Sequence, residues 1–88
     1  MSGGAYEFSI EDFYNNTEVA RLYIIRQHVK ELMILAATTI SDGNEVEQIV
    51  NDVYMELFKH RKEFHSQSAI KDFLYRKVKE ECEAFLKK

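Results

Sequence analysis

Between Asn44 and Phe58 the apolar residues Val46, Ile49, Val50, Val53, Tyr54 and Leu57 recur at steps of three and four. An α-helix with one buried side gathers those positions into a single stripe, whereas a strand would scatter them over both faces. Gln48, Asn51, Asp52 and Glu56 occupy the opposite side, with no basic neighbour among them. At the C-terminal end Ile70, Phe73, Leu74, Val78, Cys82, Phe85 and Leu86 repeat the same period. Proline is absent from all 88 residues, which removes the strongest helix breaker. A chain of this length buries only roughly 60–65% of the surface that its unfolded form exposes, so two or three packed helices are its most economical core.

Read in order, residues 1–8 give no periodic signal and are expected to be loose. Ser9-Ile10-Glu11-Asp12 fits a short N-capped turn anchored by Phe13 and Tyr14. Asn15-Asn16 breaks it, and Asn15 with Glu18 offers a second capping pattern. The longest helix is expected from Thr17 to about Ile40, with Val19, Leu22, Ile25, Val29, Leu32, Met33 and Ala36 as its stripe. Ile24, Ile34, Leu35 and Ala37 widen that stripe, so the helix is expected to pack on more than one neighbour. Ser41-Asp42-Gly43-Asn44 reads as a turn and a helix start, Gly43 supporting the turn and Asp42 pairing with Glu45. The central helix runs to about His60, and the polar link from Arg61 to Ser68 follows, with Ser66 and Ser68 both suited to cap the last helix. The expected fold is all-α: a compact three-helix bundle over residues 17–88, preceded by a flexible stretch, 1–16, that holds a short helical turn.

Several function classes find little to build on. No apolar run approaches the ~20 residues that span a bilayer, and no basic-then-apolar leader opens the chain. Cys82 is the only cysteine, which excludes an internal disulfide and reads as a small apolar residue on a helix. These features together point to the cytoplasm and away from membrane insertion. His28, His60 and His65 lack a ligand spacing with a carboxylate partner, and there is neither a glycine-rich phosphate loop nor a Ser-His-Asp signature. No enzyme, metal or cofactor is expected.

Charge is unevenly divided. Residues 1–58 hold three basic side chains against ten acidic ones, and residues 59–88 hold nine against five. The two ends are therefore expected to face different partners, the C-terminal end an anionic one. Lys59, Arg61, Lys62, Lys71, Arg76 and Lys79 interleave with Phe64, Phe73 and Tyr75, a pattern suited to phosphates and unpaired bases. Phe73 lies on the core stripe, which leaves Phe64 and Tyr75 as the aromatics expected to be exposed. The polar side of the central helix fits either plain solvated surface or a partner helix that bears arginines.

The segments Gln48-Ile49-Val50-Asn51-Asp52-Val53-Tyr54 and Asp72-Phe73-Leu74-Tyr75-Arg76-Lys77-Val78-Lys79, with the polar link between them, resemble region 2 of a bacterial RNA polymerase sigma factor. The likeness is to the extracytoplasmic-function class of the sigma-70 family and spans about residues 21–88. It implies a transcription initiation factor in which Gln48, Asn51, Asp52, Met55 and Glu56 meet the coiled coil of the polymerase β′ subunit. It implies further that Arg61, Lys62, Phe64, His65, Ser68, Lys71, Tyr75, Arg76 and Lys79 engage the −10 promoter element. There melted non-template bases are captured, one of them flipped, so that open DNA is favoured by population. An anti-sigma factor is a further partner that the resemblance implies. This chain departs from the family pattern at Glu80, Glu81 and Glu83, whose charge opposes phosphate approach, at Ala84, and at Arg21. The alternative expectation is thus a region-2-like module that binds polymerase or another protein without reading DNA. The chain stops at Lys88 with no helix-turn-helix for the −35 element, which fits a domain cut from a longer factor or a stand-alone protein.

Overall fold

The computed structural model describes residues 6–87, and over them the chain forms four α-helices: α1 (Ile10–Tyr14), α2 (Glu18–Ala37), α3 (Gly43–Lys59) and α4 (Gln67–Leu86). A single 3-10 turn, Arg61–Glu63, sits between α3 and α4. Each helix begins on a side chain that accepts an otherwise orphaned backbone N–H. Ser9 takes that of Asp12, Thr17 that of Ala20, Asp42 that of Asn44, and Ser66 that of Ala69. Of the two serines expected to cap the last helix, Ser66 does so, and Ser68 lies exposed in its first turn.

The start of α2 differs from expectation. Asn15 ends α1, Asn16 takes the left-handed conformation at φ 59°, and Thr17 becomes the cap. Asn16 and Thr17 donate their N–H groups back to Phe13 and Asp12, so Asn15 and Asn16 close the first helix and Thr17 alone opens the next. Gly43 also departs from its expected part in a turn. It is the first residue of α3, has no positive φ, and leaves open space where a Cβ would stand.

Short connectors fold α3 back on α2 and α4 back on α3. The pairings advance in the same sense along α2 and α4, Glu31 bonding Tyr75 and Leu35, farther on, lining one groove with Lys79 and Cys82, so those two helices run parallel. The core is one cluster. From α2 it takes Ala20, Ile24, Leu32 and Ala36, and from α4 it takes Ile70, Leu74, Val78 and Cys82. From α3 it takes all six stripe residues. Tyr54 buries its ring there while its hydroxyl donates to the Ile25 carbonyl at 3.2 Å, which satisfies the one polar atom that this ring carries inward.

Two parts of the expected packing are corrected. Val19, Leu22 and Ile34 point outward, whereas Ala20, absent from the expected stripe, is fully buried. Within residues 1–16, expected to be flexible around a short turn, Phe13 is buried in the core as the expected anchor, whereas Phe8, expected to be loose, stacks its ring on Tyr23 at 5.4 Å. The expectation for residues 1–5 lies outside the described residues.

Candidate partner and nucleic-acid interfaces

The α3 stripe turns one side of that helix wholly inward, and the residues between its members are thereby held outward. Gln48, Asn51, Asp52 and Met55 are exposed, and Glu56 is half-buried at the edge. Their only side-chain bonds are short-range ones: Gln48 Nε2 to Asp52 Oδ1 at 2.9 Å, Asn51 Nδ2 to Met55 Sδ at 3.8 Å, and His60 Nε2 to Glu56 at 3.2 Å. Exposed pairs one turn apart stabilise by about 0.2–0.5 kcal/mol each, so an incoming partner exchanges them at small cost. Met55, 61% exposed, places an apolar side chain within this polar field. Along one border Asp52 and Glu56 share a shallow groove of about 210 Å³ with Lys77 and Glu81 of α4.

The nine residues expected to face DNA divide into two sets. Three are engaged within the fold. Arg61 donates from Nε to the Tyr14 carbonyl at 2.8 Å and from its guanidinium to the Phe58 carbonyl at 2.9 Å. It thus places its charge at the C-terminal ends of α1 and α3, where the helix dipoles favour a cation. Phe64, expected to be exposed, is half-buried with its ring edge-on to Phe73 at 5.0 Å, because Phe73 offers it an apolar wall. Tyr75, also expected to be exposed, is half-buried against α2 and donates its hydroxyl to Glu31. Burial, and then the Glu31 bond, push the Tyr75 phenol up to about 12.

The other six remain accessible: Lys62, His65, Ser68, Lys71, Arg76 and Lys79. Lys71 lies over the Tyr75 ring at 5.8 Å, and Arg76 lies over Phe73 at 5.8 Å while reaching Glu80 at 3.5 Å. Ser68, Lys71, Tyr75 and Lys79 follow one another at three and four residues, along the flank of α4 that borders α2. His28 of α2 meets the Tyr75 ring edge-on at 6.0 Å; its pKa is held below the usual value by burial and by the charge on Lys71.

Tyr14, expected only as an apolar anchor of the first turn, organises the link. Its hydroxyl donates to the Phe64 carbonyl at 2.9 Å and stands 3.0 Å from His65 Nδ1. With the phenol proton on that carbonyl, the Nδ1–H of His65 donates back to the Tyr14 oxygen. The link is thereby fixed from both sides of one residue, since the Tyr14 carbonyl also holds Arg61.

No protein-family model, no curated protein and no solved structure matches this chain. Among the described residues no group of three or more His, Cys, Asp or Glu side chains is placed to hold a metal ion, and no helix is long and apolar enough to cross a membrane.

Proposed function

We propose that this chain is a sigma region 2-like domain that binds core RNA polymerase through α3 and engages the −10 promoter element through the link and α4. One observation carries this reading. Gln48, Asn51, Asp52, Met55 and Glu56 form a continuous accessible face on a helix whose other side is entirely core. Carboxylates and carboxamides at that spacing accept from the guanidinium groups of a second helix, and such bonds are directional. The DNA contacts rest on Lys62, His65, Ser68, Lys71, Arg76 and Lys79. They act by holding separated strands rather than by chemistry, so promoter opening shifts by population.

A second reading draws on the engaged residues. Arg61, Phe64 and Tyr75 are committed to contacts inside the domain, and Glu80 neutralises Arg76. These favour a module that binds polymerase, or another protein, and leaves DNA alone. The test is a titration of the β′ coiled-coil fragment into the intact domain and into Asp52→Lys. Saturable binding that the variant loses supports the polymerase reading; no binding by the folded domain defeats it. A single-stranded −10 oligonucleotide, with Lys71→Glu and Arg76→Glu alongside, then separates DNA reader from non-reader.

A further inference from the structure

Helix α2 carries a second apolar face that the bundle does not use. Val19 is 45% exposed, Leu22 39% and Ile34 58%, and with Arg26, Lys30 and Ala37 they recur at three- and four-residue steps. All lie on the side of α2 turned away from Ala20, Ile24, Leu32 and Ala36. Two open grooves mark the ends of this face. One, of about 310 Å³, is floored by Val19 and Leu22; the other, of about 370 Å³, by Ile34 and Ala37. Arg26 lines the first groove and Lys30 stands between the two; they are two of only three basic residues in the first 58 positions. The third, Arg21, donates to the Asn16 carbonyl. Neither Arg26 nor Lys30 forms an ion pair among the described residues.

Charge decides among occupants. A second copy docked two-fold on the same face would set Arg26 against Lys30 of its mate, placing like charges at the centre. An anionic bilayer would extend well beyond these two cations and meet the ten acidic side chains of this half of the chain, whereas a single helix lies along α2 alone. We propose that the outer face of α2 is a docking surface for an acidic amphipathic helix of a partner protein. Its apolar side chains fill the two grooves and its carboxylates rest on Arg26 and Lys30. From Val19 to Ala37 the face runs roughly 27 Å at the helical rise, so the partner helix has about 18 residues. This surface is separate from the polymerase-facing side of α3 and does not rest on that assignment.

The probe is a synthetic helical peptide of about that length, with leucines toward both ends of one side and glutamates at its middle. It is titrated into the 15N-labelled chain and followed by NMR. The expected result is saturable shifts confined to the outer face of α2, binding at least about tenfold weaker in the Arg26→Glu/Lys30→Glu double variant, and no change in Asp52→Lys. Shifts on α3 instead, or equal binding of a peptide with lysine in place of glutamate, would overturn the proposal. So would stronger binding to phosphatidylglycerol vesicles, or self-association that Leu22→Ala abolishes. All three variants sit on exposed positions, and circular dichroism checks that each is folded.

Discussion

The outer face of α3 and the link into α4 both carry polar residues off the core stripe, yet the fold treats them differently. On α3 the side chains bond only to neighbours one turn away, so none of them ties one helix to another. In the link, Arg61 and the Phe64 carbonyl both bond to Tyr14, 47 and 50 positions away in the chain. The difference teaches that an accessible-looking residue type is available for a partner only where regular structure already satisfies the backbone around it. In an irregular link the carbonyls lack ladder partners, and nearby side chains are drawn in to fill that role.

Stability measurements sharpen this contrast. Phe64→Ala removes a half-buried ring from its place on Phe73 and should cost about 2 kcal/mol in urea unfolding, short of the ~3–5 for a fully buried ring. Met55→Ala, on the face of α3, should stay within about 0.5 kcal/mol. If the two cost the same, the link is not braced as described. Arg61→Ala should cost about 1.5 kcal/mol, because it leaves the Tyr14 and Phe58 carbonyls without a charged donor, whereas Asp52→Ala should be near neutral. Ser66→Ala should cost about 1 kcal/mol through loss of the cap, and Ser68→Ala a few tenths at most, as read by thermal melts.

A different kind of effect lies in alkali. The Tyr75 phenol is raised in the folded chain to about 12, while in the unfolded chain it titrates near its ordinary 10. Its contribution is therefore whole below pH 10 and is lost as pH rises from 10 toward 12. Urea midpoints across that range should fall less steeply in Tyr75→Phe than in the parent.

How much of this was legible follows the same line. Helix α3 could be read in full, since its six apolar positions fall on one stripe and all six are buried. Helix α2 could be placed but not oriented. Its apolar residues go almost all the way round, so Val19 and Leu22 looked like core while Ala20, too small to stand out, was missed. The sequence did carry the correct hint that α2 is apolar on more than one side. Among the candidate site residues, those on α3 could be grouped from spacing alone. The engagement of Arg61 and Phe64 could not, because it depends on Tyr14 and on the bend that the 3-10 turn introduces, neither of which leaves a periodic trace.

The Tyr14 hydroxyl and the Phe64 carbonyl are 50 positions apart in sequence. Closing a loop of that length costs chain entropy that helix formation and the α2–α3 hairpin do not incur. Folding should therefore form the α2–α3 hairpin before Tyr14 seats on the link. Unfolding should release α1 and the link first, as one unit. Native-state hydrogen exchange should record this order: amides at residues 12–17 and 61–64 should open together, at a free energy below that of Val53 and Leu74, which open only with the whole molecule. The link's shape would then have a lifetime of its own, set by how long one phenol stays seated.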